Sequence, residues 1–219
     1  FDVSTASFTQ NFSVSSQDTN PTAIAFNSDG TKMFIVGNAN DTVYQYGLTT
    51  GFDISTASYS STSFSLSSQE NNPKGLAFNS DGTKMFVAGE SGDDVNEYTL
   101  STGFDVSTAS YSQNFSVASQ DSNPTGLFFT SDGTRMYITG NTSESVYEYT
   151  LTTGFDVSTA SYSSNSFDVG TAEETAPRGV AFNSNGTKMF VVGPAGDDVN
   201  EYTTTTSTLN DSTAYAMSL

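Results

Sequence analysis

The sequence repeats itself four times. The phrase Phe1-Asp2-Val3-Ser4-Thr5-Ala6 returns with small changes at Phe52, Phe104 and Phe155. Each copy then carries a proline: Pro21, Pro73, Pro124 and Pro177. A few residues later each has a turn, at Ser28-Asp29-Gly30-Thr31, Ser80-Asp81-Gly82-Thr83, Ser131-Asp132-Gly133-Thr134 and Ser184-Asn185-Gly186-Thr187. A fixed period of this length means that one supersecondary unit is stacked several times, with each unit burying an apolar face on the next.

Within a unit the pattern reads as strands. An apolar run such as Gly75-Leu76-Ala77-Phe78 meets an Asp-Gly turn, the strongest short-range hairpin signal. Lys84 to Ala88 reads as the second strand and Asp94 to Leu100 as the third. After the excursion from Phe104 to Ser110, a fourth strand is expected near Tyr111 to Ala118. No segment sustains a helical period. Four antiparallel strands per repeat predict an all-β, four-bladed β-propeller, with the apolar first strand innermost. A linear β-solenoid is the competing architecture, but its coils are shorter and do not call for a hairpin turn in each. The units run at about 1–51, 52–103, 104–154 and 155–206, with a tail at 207–219, all read as a single propeller domain of 219 residues.

The stretch Pro73-Lys74-Gly75-Leu76-Ala77-Phe78-Asn79-Ser80-Asp81-Gly82-Thr83-Lys84-Met85-Phe86-Val87 resembles the YVTN-type and related WD-like propeller repeats of surface and secreted proteins. All four units share it. They depart from the family by lacking a proline inside the turn and by the longer Phe-Asp-Val-Ser-Thr-Ala-Ser excursion. Such motifs specify fold far better than function.

The repeat has a second order. Third strands alternate between Val43-Tyr44-Gln45-Tyr46 or Val146-Tyr147-Glu148-Tyr149 and Val95-Asn96-Glu97-Tyr98 or Val199-Asn200-Glu201-Tyr202. Gln10-Asn11-Phe12-Ser13-Val14 matches Gln113-Asn114-Phe115-Ser116-Val117, while the fourth strands near Phe64 and Phe167 carry one extra residue. The unit of duplication is therefore a pair of blades. Residues 10–14 are expected to pair beside Val199 to Tyr202, so that an N-terminal strand closes the last blade. Ser212-Thr213-Ala214-Tyr215 is the alternative outer strand.

Composition excludes several chemistries. There is no Cys and no His, so disulfides, Ser-His-Asp triads and His- or Cys-ligated zinc cannot form within the chain. With 24 acidic and 6 basic residues, the net charge of −18 argues against nucleic acid and anionic membrane surfaces as partners. No apolar run is long enough to span a membrane. No signal peptide is visible, and a chain starting at Phe1 is expected to be a processed product or part of a longer protein.

The candidate sites are few. Lys32, Lys84, Arg135 and Lys188 follow the turn in every unit and read as architecture. Lys74 and Arg178 do not: the equivalent positions in the first and third units are Thr22 and Thr125. Blades two and four face each other across the axis, so this pair is a candidate anion-binding mouth, set against simple relief of acidic crowding. Asp93-Asp94 and Asp197-Asp198 are candidate Ca²⁺ ligands, although two adjacent Asp supply only part of a calcium shell. The bland reading is a polar strand entry. Asp2, Asp53, Asp105 and Asp156 precede Ser-Thr and read as Asx turns.

These observations lead to an expectation of a non-catalytic extracellular, cell-surface or virion-surface module for structural or adhesive interaction or self-assembly. It would have no cofactor unless Ca²⁺, and its partner would be a protein or glycan surface or a second copy. The alternatives are a lectin-like or Ca-binding module and a carboxylate-dependent glycoside hydrolase.

Overall fold

Each Gly of the four repeated turns takes a left-handed backbone, with φ of 69° at Gly30, 71° at Gly82, 67° at Gly133 and 65° at Gly186. A side chain there is strained, so the Asp-Gly or Asn-Gly pair sets where the chain reverses. The preceding carboxylate locks the turn. Asp29 accepts from the Thr31 amide (3.0 Å) and hydroxyl (2.6 Å), and Asp81 does the same with Thr83.

The computed structural model describes residues 7–171 and 174–205. Phe1 to Ala6, including Asp2, lie outside them, as does the 207–219 tail. The architecture is a four-bladed β-propeller. Blade one holds β1 (Pro21–Phe26), β2 (Lys32–Gly37), β3 (Thr42–Leu48) and β4 (Ala57–Ser65). Blade two holds β5 (Pro73–Phe78), β6 (Lys84–Gly89), β7 (Asp94–Leu100) and β8 (Ala109–Ser116). Blade three holds β9 (Pro124–Phe129), β10 (Arg135–Gly140), β11 (Ser145–Leu151) and β12 (Ala160–Asp168). Blade four holds β13 (Gly179–Phe182), β14 (Lys188–Gly193) and β15 (Asp198–Thr203). Neighbouring strands are antiparallel throughout, in sequence order within each sheet.

The core lies between blades. Phe34, Val36, Val43 and Leu66 of blade one pack with Leu76, Met85, Val87 and Tyr98 of blade two. Phe86, Ala88, Val95 and Val117 do the same with Leu127, Met136, Ile138 and Tyr149 of blade three. Phe104, in the long excursion, lies against both Phe34 (6.2 Å between centroids) and Phe78 (5.5 Å). The excursion is thus a wedge between blades, and the Asp that follows Phe52, Phe104 and Phe155 caps a short 3-10 turn. Asp53, Asp105 and Asp156 accept from the amides of Ser55, Ser107 and Ser158, as the Asx-turn reading expects.

The alternation between blades has a structural cause. In β4 and β12 the extra residue sits in a bulge, with Ser61 at φ 55° and Ser164 at φ 68°. In β8 the irregularity is one residue shorter, between the Glu97↔Gln113 and Tyr98↔Tyr111 pairs.

The expected closing strand differs. Residues 10–14 form no ladder with β15, whose only partner among the described residues is β14. Instead Phe12 packs on Tyr46 of blade one (5.7 Å, edge-on) and Gln10 donates to Asp53 (2.7 Å). Phe115 makes the same contact with Tyr149, and Gln113 with Asp156. The segment therefore takes the place of an outer strand belonging to a blade before blade one. β1 packs on β5, β5 on β9 and β9 on β13; among the described residues no comparable packing joins β13 to β1.

Candidate active site

The propeller has two unlike ends. One carries the Asp-Gly turns and the positional cations. Lys84 bridges Glu97 (2.7 Å) and the Phe155 carbonyl (2.5 Å), Lys188 meets Glu201, and Arg135 meets Glu148. These cations stitch blade architecture, as their periodicity implies.

The other end is built on buried carboxylates, one per blade: Asp18, Glu70, Asp121 and Glu174, each at most 3% exposed. Each joins the loop entering the inner strand to the hairpin that follows β2, β6, β10 or β14. Asp18 accepts from the amides of Asn20 (2.7 Å) and Asn40 (3.1 Å), and Glu70 from those of Asn72 (2.6 Å) and Ser91 (3.1 Å). Asp121 and Glu174 repeat the arrangement with Asn123 and Ser143, and with Ala176 and Ala195. Hydrogen bonds to ionised groups are what make such burial tolerable. The sequence signal was the repeated Ser-Gln-Asp/Glu at Ser16, Ser68 and Ser119.

On this framework three ionisable residues that break the repeat come together. Lys74 and Arg178 follow the inner-strand prolines, where Thr22 and Thr125 instead donate to the next blade's proline carbonyl, Pro73 (2.9 Å) and Pro177 (2.6 Å). The two cations converge on one carboxylate oxygen: Lys74 Nζ lies 3.5 Å and Arg178 Nη1 3.9 Å from Glu90 Oε1. Glu90 is the third break, since its equivalents are Asn38, Asn141 and Pro194. Its other oxygen accepts from Asn72 (2.5 Å), whose carbonyl accepts from Asn38 (2.9 Å). Sequence reasoning found both cations and missed Glu90. The same comparison across units, made one residue after Gly89, would have shown it. At the blade-three positions equivalent to Asn72 and Glu90, Asn123 and Asn141 each hold a buried carbonyl oxygen with no hydrogen-bond partner.

The Asp pairs fall in two settings. Asp93 (φ 49°) and Asp197 (φ 55°) are left-handed turn residues, as are Asp41 and Glu144. Asp94 is 5% exposed; one oxygen accepts from Asn96 (2.6 Å) and the other from Asn114. Burial raises its carboxyl above the ordinary Asp value. Asp198 is exposed and accepts from Asn200 (3.0 Å). Among the described residues no group of three or more acidic side chains could hold a metal ion.

No protein-family model and no curated protein sequence matches the chain. Its fold does match solved structures. A proposed 6-phosphogluconolactonase from Bacteroides fragilis aligns with a TM-score of 0.59 at 16% identity, over 90% of this chain and 54% of that one. The periplasmic gluconolactonase of Pseudomonas aeruginosa aligns at 0.54 and 15%, over 82% and 48%. The β-propeller domain of Cps50 (Swd1) from Myceliophteria thermophila aligns at 0.53 and 10%, over 84% and 54%. The chain spans about half the length of these neighbours, and identities this low establish the β-propeller fold alone. The expectation of a non-catalytic surface module is corrected to this extent: nothing in the fold marks the chain as non-catalytic. That expectation treated the repeat as scaffold, whereas the same architecture is found in proteins named for lactone chemistry.

Proposed function

We propose that the chain is a hydrolase of anionic sugar lactones acting at the Lys74–Glu90–Arg178 cluster. The observation that carries this reading is the convergence of Lys74, Glu90 and Arg178, each of which breaks the repeat, on one point of the propeller's end. Arg178 is the most exposed of the three, and its planar fork suits a phosphate or carboxylate on the substrate. Lys74, closer to Glu90, suits the negative charge that develops on the lactone carbonyl oxygen. Glu90 is placed to take a proton from water. The water oxygen then bonds to the carbonyl carbon, the ring C–O bond breaks, and the ring oxygen leaves with a proton as the hydroxyl of the open-chain acid. The lactonase names among the fold neighbours support the reaction class. We also assign the repeat to the YVTN type, on the apolar strand, Ser-Asp-Gly-Thr turn and Phe-Val strand of Leu76 to Val87.

The test is hydrolysis of 6-phosphogluconolactone and glucono-δ-lactone followed by pH-stat. Turnover above the uncatalysed rate is expected, with Glu90→Gln lowering kcat about 100-fold or more. Arg178→Ala should raise KM for the phosphorylated lactone more than for the neutral one. Background rates with both lactones would overturn the proposal.

A further inference from the structure

Blade four lacks an outer strand among the described residues, and its edge differs from every other blade in consequence. Val43, Val95 and Val146, each opposite a Phe of an outer strand, are 0%, 0% and 4% exposed. Val199, their equivalent on β15, is 62% exposed. Phe8 is 85% exposed, and residues 7–16 hold the position of an outer strand with no third strand beside it among the described residues. An unpaired edge with apolar side chains is a template for strand addition.

The two edges match each other residue by residue. In blade two, Asp94, Val95, Asn96, Glu97 and Tyr98 pair with Ser116, Phe115, Asn114, Gln113 and Tyr111. β15 repeats the first series as Asp198, Val199, Asn200, Glu201 and Tyr202, and the N-terminal segment repeats the second as Ser13, Phe12, Asn11, Gln10 and Phe8. The polar contacts carry over too. Gln113 bridges Glu97 (2.9 Å) in its own blade and Asp156 (2.8 Å) in the next. Gln10 already holds the second half of that bridge, on Asp53 (2.7 Å). Only the Glu half is missing, and Glu201 is the residue that would supply it.

We infer that residues 8–14 of a second copy of this chain add to β15 as the fourth strand of blade four, in the register Val199↔Phe12, Asn200↔Asn11 and Glu201↔Gln10. The exchange is head to tail, and two such contacts close a ring of eight blades. The fold neighbours favour two copies: the four blades superpose on about half of each, as 90% of this chain on 54% of the Bacteroides fragilis protein. A heterologous contact of this kind closes only when its rotation fits the ring, and otherwise runs on as a filament. The inference does not rest on the lactonase reading.

Light scattering on the 219-residue chain should give about twice the 23.2 kDa monomer mass. Val199→Lys should return it to the monomer with an unchanged far-UV spectrum, because that side chain is exposed in the single copy. The chain has no Cys, so register can be read directly. Mixing and oxidising the single variants Asn11→Cys and Asn200→Cys should give a disulfide-linked heterodimer, since directly paired strand residues are close enough to bridge. A monomer mass for the unmodified chain overturns the inference. So does a chain carrying both cysteines that links only within itself, which would mean that the N-terminal segment closes its own blade four. Masses beyond the dimer overturn the two-copy ring.

Discussion

A Cβ added at Gly89 would stand 2.2 Å from the carboxyl carbon of Glu70. That carboxylate is fully buried and holds the amides of Asn72 and Ser91, so it cannot swing aside without breaking both bonds. Gly89→Ala should cost about 2 kcal/mol or more in urea unfolding, the scale of overpacking plus a disturbed polar group. Gly47→Ala is the control. Its nearest neighbour would be Ser60 Oγ at 3.6 Å, and the change should be neutral or stabilising by up to about 1 kcal/mol.

Positional cations should not be equivalent. Glu97 is 2% exposed at its side chain, and Lys84 is its ion-pair partner. Lys84→Met strands a buried carboxylate, although Gln113 and the Val157 amide still donate to it. A loss of about 2 kcal/mol is expected, less than for a wholly buried pair. Lys188 faces Glu201, which is 52% exposed in the single copy, and in the monomeric Val199→Lys variant Lys188→Met should change stability by less than about 0.5 kcal/mol. Denaturant midpoints compare the two.

The wedge Phe residues should differ in the same way. Phe104 holds a φ of 55° and packs on two other rings across the blade interface. Phe104→Ala should cost about 3 kcal/mol, the scale of a large core truncation. Phe52 has a similar φ but is 51% exposed in the single copy and, among the described residues, meets only the ring of Phe26. In the monomeric Val199→Lys variant Phe52→Ala should cost clearly less, as thermal unfolding will show.

Stability should pass through a maximum on the acid side. Asp94 is raised by burial, and Asp41 by burial and then by Glu70 and Asp18. Groups with raised folded values gain protons more readily in the native state, so lowering pH from 7 through those values stabilises the fold. Asp29 and Asp81 are lowered, first by the hydroxyls of Thr31 and Thr83. Their contribution is intact above about pH 4, the unfolded Asp value, and is lost as pH falls through the folded values. The melting temperature should therefore climb as pH falls from 7 through the raised carboxyl values and drop below about pH 4. Asp94→Asn should flatten the climb. A monotonic fall from pH 7 downward would contradict this assignment.

Much of the fold was legible because the determinants are local and repeated. The third strand of blade two, Asp94 to Leu100, was read at its observed bounds, since an Asp-Gly turn fixes the preceding hairpin and Gly92-Asp93 and Ser101-Thr102-Gly103 bracket the strand. The seam was not legible. The similarity between residues 10–14 and the other outer strands tells what they pair with, but not whether that strand belongs to the same copy, because the answer depends on the curvature summed over four blades. Lys74 and Arg178 were found because they break the repeat. Glu90 was missed because it follows a strand of the same charge-poor type in every unit, and its meaning comes only from the two cations brought to it across blades.

The buried carboxylates have a consequence for how such a protein can change. Asp18, Glu70 and Glu174 grip their hairpins through main-chain N–H groups. The shape of those loops is therefore specified by atoms that every residue except proline provides. Side chains on that rim are left free to vary without refolding the blade beneath them. Glu90, standing where other blades have Asn38, Asn141 or Pro194, is one such exchange, and new chemistry could be written around the rim one blade at a time.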